Sequence, residues 1–373
     1  MEARGVTPRL WLEAPDLAAL VAEPGPFLTL VLATESEVEN ASHRNQLRWR
    51  GVRESLGDQG ADEAALAHVD PLVEDAHLLG QTLLVVASAR GVHHRSHWPR
   101  LPFRELARWQ ALPSLGVVLD RRQEAPPHLL VVCDRQGADI TAVRYEAGDV
   151  ELEAGDVDPV GRKVNAGGWS QRRYQERAEN SWEHNAKDVA EKVARLAQLV
   201  DARLVAVAGD VRASQLLRQE LPRDVLELVR EVEGSRAPDG APTVAPEDLE
   251  RLVAEVVAHD TKALVDKLAE ELGQHDRGRG GLEGTMAALV AAQVQVLLVH
   301  DDPDDPRTAW FGDEPTTVAA RRDDLAGLGP GALHEGRLAD VVIGAALATG
   351  AGVRMLPSDE GVPEGVGAIL RWS

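Results

Sequence analysis

The sequence predicts an α/β protein built in three blocks, and three observations carry that expectation. Short apolar runs rich in Val and Leu alternate with longer segments of helical period, the pattern of sheets joined by helices. Two proline-bearing breaks, "DRRQEAPPH" and "GSRAPDGAPTVAPED", interrupt the alternation near Glu124 and near Ala241. A chain of 373 residues is also long enough for two or three domains, each with its own core. The expected division is 1–124, 125–240 and 241–373.

In the first block "FLTLVLAT" reads as a strand, "ASHRNQLRWRGVRESL" as a basic helix, and "TLLVVAS" as a second strand turning at "ARG" into "VHHRSHW". The second opens with "HLLVVCDRQGADITAVRYEAGDVELE", two or three strands joined by Gly-containing turns. A loop follows, then a long helix expected after Asn180, the buried strand "ARLVAVAGD", the helix "RASQLLRQEL" and the closing element "DVLELVREVEG". In the third block, Leu249, Leu252, Val253, Val256 and Val257 fall at helical spacing and place an amphipathic helix over Pro246–Leu272. Helix and strand then alternate through "GTMAALVAAQ", "VQVLLVHDD", "LADVVIGAALATG", "GVRMLP" and "GVGAILRW".

Composition narrows the function. A formal charge of −21 favours solubility and disfavours general attraction to polyanions, so contact with nucleic acid has to come from local basic patches and DNA is not expected as a partner. The single Cys133 excludes internal disulfides and suits a reducing compartment. No signal pattern opens the sequence and no apolar run approaches the ~20 residues of a membrane span, so a cytoplasmic protein is expected. Without a G-x-x-x-x-G-K-[ST] loop it should not hydrolyse nucleotide itself, and no cofactor is expected.

Against that acidic background, residues 161–177 hold Arg162, Lys163, Arg172, Arg173 and Arg177 with the single acid Glu176, a local charge of about +4. Gly167 and Gly168 permit close backbone approach to a partner. Trp169 and Tyr174 offer flat faces on which bases stack, and the arginines can grip phosphate. Two readings fit: an RNA-probing tip, or a glycine loop whose tryptophan packs on its own domain while its arginines pair with surplus acids.

The block order, with "LRWRGVRESL" in the first, this loop and helix in the second and "GTMAALVAAQVQVLLV" in the third, resembles the archaeo-eukaryotic peptide chain release factor and Pelota superfamily. The stretch "NAGGWSQRRYQERAENSWEHNAKDVAEKV" is similar to its bacterial branch, which includes a ribosome hibernation factor. The resemblance implies an α+β N-terminal domain reaching the small-subunit decoding region and a middle RNase H-like domain that sends its loop to the peptidyl-transferase centre. It also implies an L7Ae-like C-terminal domain that docks a translational GTPase. The partners would be the 70S ribosome, through its 16S and 23S rRNA, and the elongation factor EF-Tu. The rRNA-binding residues would be Asn165, Gly167, Gly168, Trp169, Ser170, Gln171, Arg172, Arg173 and Tyr174, with Arg44 and Arg48 of the basic helix.

One departure bears on chemistry. Release factors carry Gly-Gly-Gln, whereas Trp169 follows the glycine pair here and Gln171 comes three residues after Gly168. On an extended chain at ~3.3 Å per residue that shift moves the amide by several ångströms. Even ~1 Å of misplacement can cost ~100-fold in rate, so a plug that occupies the vacant A site without catalysis is expected. The alternative is a peptidyl-tRNA hydrolase or nuclease working through Gln171.

Other motifs divide less sharply. "HDRGRGGLEG" imitates the release-factor signature, but Leu282 stands in the glutamine's place and the glycines suit helix ends. Arg44 and Arg48 share a helix face at i, i+4 and suit rRNA phosphates, or pair with neighbours such as Glu37 and Glu39, while Trp49 reads as core or interface. His93 and His97 would share one strand face with His94 opposite, a poor zinc arrangement. Asp134, Asp139 and Asp210 could serve a two-metal nuclease or simply their turns.

Overall fold

The computed structural model describes residues 10–34, 41–76, 81–98, 101–102, 104–134, 137–146, 149–156, 171–236, 242–325 and 332–373, for the backbone alone at 144–146, 149–156, 171–185, 236 and 242–243. It is a mixed α/β fold with several sheets.

The first block runs α1 (Pro15–Val21), β1 (Phe27–Ala33), α2 (Ala41–Asp58), α3 (Glu63–Asp75), β2 (Thr82–Ser88), β3 (Gly91–Trp98), β4 (Leu106–Gln110) and α4 (Gly116–Glu124). Its strands form an antiparallel sheet in the order β3-β2-β1-β4. The run "FLTLVLAT" is apolar throughout because both sheet faces are covered. Leu28, Leu30, Leu32, Leu83 and Val85 pack on Trp49, Leu56, Leu66, Val69 and Val73 of α2 and α3. Phe27, Val31, Leu84 and Val86 alternate to the other face and join a second cluster. Asp62 caps α3, its carboxylate accepting from the Ala64 amide at 2.7 Å.

The middle block comprises β5 (His128–Cys133), β6 (Ala138–Glu146), β7 (Asp149–Asp156), α5 (Gln171–Val200), β8 (Leu204–Gly209), α6 (Val211–Glu220), α7 (Arg223–Leu226), β9 (Val229–Glu231), β10 (Gly234–Arg236) and β11 (Pro242–Val244). Its main sheet has the order β7-β6-β5-β8-β9, with β5 antiparallel to β6 but parallel to β8, and β8 parallel to β9. That order is the RNase H-like one implied by the resemblance. Val189, Ala190, Val193, Ala197 and Val200 of α5 recur at helical spacing and bury against Leu129, Val131 and Ile140. The helix starts nine residues ahead of the expected Asn180, at Gln171. Its extra turns contain no Gly or Pro and are rich in Gln, Arg and Glu, strong helix formers that mask the boundary to a reading tuned to apolar period.

The third block continues with α8 (Pro246–Gly273), β12 (Gly278–Gly280), α9 (Gly281–Val290), β13 (Val294–Val299), β14 (Thr308–Phe311), β15 (Val318–Ala319), β16 (His334–Arg337), α10 (Leu338–Ala348), β17 (Gly352–Met355) and β18 (Val366–Leu370). A four-stranded sheet β12-β18-β13-β17 and a small sheet β15-β14-β16 result. Every residue from Leu338 to Leu347 of α10 is buried, as expected of a helix apolar all round.

The three blocks make two compact units: one of Glu124–Glu146 and Val150–Asp260, the other of Leu10–Gln123 with Thr261–Ser373. The first edge falls at Glu124. The second falls inside α8 at Asp260, not in the break near Ala241. Leu252 and Val253, early in α8, pack on Leu204 and Ala206, while Leu264 and Leu268, later in it, pack on Val296, Leu298 and Ile369. The first and third blocks belong to one unit because the second face of β1 and β2 shares its apolar cluster with Leu297, Val342, Ile343 and Val353.

Candidate nucleic-acid interface

Residues 157–170 lie outside the described residues, and with them Asn165, Gly167, Gly168, Trp169 and Ser170. The structure places Gln171, Arg172, Arg173 and Tyr174 on the first turn of α5, and Arg177 on its second. Gln171 therefore belongs to a helix, where the rise is ~1.5 Å per residue, and not to an extended tip. The first turn of α5 contains no acid, yet holds two arginines. The first four N–H groups of a helix lack intrahelical partners and its dipole places positive charge at that end, so cations there oppose the helix's own field by ~0.3–1 kcal/mol each. An anion at this terminus would relieve both conflicts.

The basic helix α2 is arranged differently. Arg48 turns inward, donating to the Ala33 carbonyl at 2.6 Å and lying 3.9 Å from Glu105. Arg53 pairs with Asp70 at 3.2 Å and donates to Glu63. Trp49 is buried, its indole N–H donating to Asp70 at 2.7 Å, which makes it core. Arg44 and Arg50 are exposed beside the exposed Leu47. The expected Arg44–Arg48 pair is not presented together, because Arg48 braces the end of β1.

Several other candidates have partners within the fold. A bulge between Val86 and Ala87 leaves His93 outside the β2–β3 ladder, its Nε2 2.8 Å from the Ser88 hydroxyl and its ring edge-on to Phe27. Burial pulls its pKa down. His94 is buried in the sheet, and no group of three His, Cys, Asp or Glu could hold a metal among the described residues. Asp134 accepts from the Gly137 amide at 2.9 Å, closing the β5–β6 turn. Asp210 caps α6 through the Arg212 and Ala213 amides at 3.0 and 3.1 Å. Burial raises the Cys133 thiol, which sits 3.4 Å from the Ser214 hydroxyl.

In the second glycine cluster, Gly281 has φ +74° and opens α9, whose Leu282 amide donates to Glu364 at 2.7 Å. This matches the capping expectation. Between the helices, however, residues 278–280 add the short strand β12, paired with β18.

A buried polar cluster escaped the sequence. Asp340 accepts from Gln110 at 2.6 Å and Ser114 at 3.2 Å, with Arg337 at 3.5 Å, and Arg337 donates to Asp301 at 2.7 Å. Burial, with Asp301 adding to it, raises the Asp340 carboxyl to about 6 against the pull of Arg337. The available signal was an acid inside an otherwise apolar helix, "LADVVIGAALA".

Residues 127–274 match the model of bacterial archaeo-eukaryotic release factor family 2. The chain is 26% identical over 374 residues to the uncharacterized protein Rv2629 of Mycobacterium tuberculosis H37Rv, with 97% of each covered. Among solved structures, Pelota of Archaeoglobus fulgidus is 14% identical with a TM-score of 0.35, covering 97% of this chain and 94% of that one. Dom34 of S. cerevisiae is 9% identical with a TM-score of 0.38, covering 79% and 75%. No helix among the described residues is long and apolar enough to cross a membrane.

Proposed function

We propose that the chain is a non-catalytic ribosome-binding factor, a reading supported by the match of residues 127–274 to the model of bacterial archaeo-eukaryotic release factor family 2. It occupies the vacant A site of idle 70S ribosomes and holds 23S rRNA with the Gly167-Gly168-Trp169 loop and the start of α5. The first block faces the 16S rRNA decoding region, and the third receives a translational GTPase such as EF-Tu.

The observation that carries this reading is the first turn of α5, where Arg172 and Arg173 sit without an acid at the positive end of a 30-residue helix. That arrangement costs the free helix stability and suits a polyphosphate partner. Gln171 lies on the helix behind the loop, which counts against its use as a release-factor glutamine. In the first block, exposed Arg44 and Arg50 are the cations suited to phosphate, while Arg48 donates to the Ala33 carbonyl.

Co-sedimentation with vacant 70S ribosomes at several salt concentrations, run beside a peptidyl-tRNA release assay, tests the proposal. Salt-sensitive binding without peptide release is expected. Release that disappears in Gln171→Ala would replace this reading by the enzymatic one.

A further inference from the structure

We propose that residues 10–123 and 261–373 form one cooperative body, which the chain leaves after Gln123 and rejoins at Thr261, both bonded to adjacent residues of one strand, and that the middle unit opens independently of it. The inference is independent of the ribosome reading.

The first line of evidence is β17, an edge strand of the third-block sheet. Leu12, from the start of the chain, pairs with Val353 through both backbone bonds, at 3.1 and 3.0 Å. The N-terminal segment thus covers an edge that would otherwise stand open. The Trp11 ring lies so close over Gly352 that a Cβ there would fall 1.8 Å from its Cδ1, so only glycine fits. Next along the chain, α1 packs on α10, with Val21 against Gly344 and Asp16 paired to Arg122 of α4 at 2.9 Å.

A second line is the seam between blocks distant in sequence. The Gln123 side-chain amide imitates a strand partner: it donates to the Met355 carbonyl at 2.7 Å and accepts the Met355 amide at 2.9 Å, fully buried. Gln110 and Ser114 of the first block donate to Asp340 of the third. Arg104 grips Asp304 through two bonds, at 2.7 and 2.9 Å, and Arg108 donates to the Pro303 carbonyl at 3.1 Å. Behind these polar contacts lies the shared apolar cluster that covers the second face of β1 and β2. Removing either block would expose a sheet face or an edge, and buried polar groups would lose partners.

The third line is where the chain leaves this body and rejoins it. Gln123 is the last residue of the body before the middle unit, and Thr261 the first after it. Gln123 is bonded to Met355. Arg354, its neighbour and itself buried, donates to the Thr261 hydroxyl at 2.6 Å and to the Leu10 carbonyl at 3.3 Å. Leu10 and the residues at which the chain leaves this body and rejoins it therefore meet on two adjacent residues of one strand. A displacement imposed on the third block is passed to the first through packed side chains, with no linker between them.

Hydrogen exchange of the full-length protein tests this through Leu297→Ala, a truncation in β13 within the shared cluster. Amides of β1 and β2 should lose protection by the same factor as those of β13 and β17, on the order of a hundredfold or more, while β5 and β8 hold theirs. Loss confined to the third block would overturn the single body. Equal loss in β5 and β8 would overturn the independence of the middle unit, since the whole chain would then open together. Should Leu297→Ala fail to fold, Ile343→Val in the same cluster allows the same comparison at about tenfold.

Discussion

Two arginine-rich helices, α2 and α5, look alike in sequence and differ in where their arginines stand along the helix. In α2 the fold answers part of the charge: Arg48 is held by the Ala33 carbonyl and Arg53 by Asp70 and Glu63. At the start of α5 no acid stands in the first turn, and the helix field adds to the charge instead of offsetting it. A count of basic residues therefore does not measure the charge available to a partner. What matters is whether the protein has already satisfied it.

The largest effect that would break this contrast lies in α2. Trp49→Ala removes a buried ring and its hydrogen bond to Asp70, so a stability loss of ~3–5 kcal/mol is expected in urea unfolding. A stable Trp49→Ala protein with weakened ribosome binding would place Trp49 at an interface instead.

Asp340 sharpens the same contrast as an acid answered inside the fold. Its folded pKa, about 6, lies above the ordinary 3.8, so the folded state binds the proton more tightly than the unfolded one. The stability contributed by that proton is complete below the unfolded value and is lost as pH rises through about 6. The span amounts to about 3 kcal/mol. Relative to Asp340→Asn, which keeps the shape without the titration, the wild type should lose on the order of that amount between pH 4 and 7. A constant difference across that range, followed by chemical denaturation, would show the carboxyl titrating normally.

In the loop, Trp169→Ala should weaken ribosome binding by ~1–3 kcal/mol, leaving the salt slope and the melting temperature nearly unchanged. A lowered melting temperature with unchanged affinity would make the tryptophan a packing residue. Replacing Arg172 and Arg173 together by alanine should flatten the salt slope by ~0.7–0.9 per lost phosphate contact. The same change should raise stability by a few tenths of a kcal/mol, the opposite of what a structural ion pair gives. The smallest expected effect is that of Arg50→Ala, within ~0.5 kcal/mol on stability, since the residue is exposed.

Much of this protein was legible without coordinates because the signals are local. "TLLVVAS" and "ARLVAVAGD" had to be buried strands on their own composition, and the period of Leu249, Leu252, Val253 and Val256 placed α8 within a residue or two. The positive segment around Arg172 and the absence of glutamine after Gly168 are likewise properties of the chain. What escaped was everything that depends on a distant partner. The strand β12 is Gly-Arg-Gly and exists only because β18 lies beside it. Arg44 and Arg48 looked equivalent, yet Arg48 turns to the Ala33 carbonyl and Glu105 while Arg44 stands exposed. The first and third blocks read as separate domains because the break at "DRRQEAPPH" is real, yet Gln110 meets Asp340 across 230 residues of chain. The sequence by itself determined the elements and the location of unbalanced charge, which follow from neighbours along the backbone. Tertiary structure alone decided which apolar faces meet, which arginines are spent and where the units divide, because those outcomes depend on which distant surfaces exclude water together.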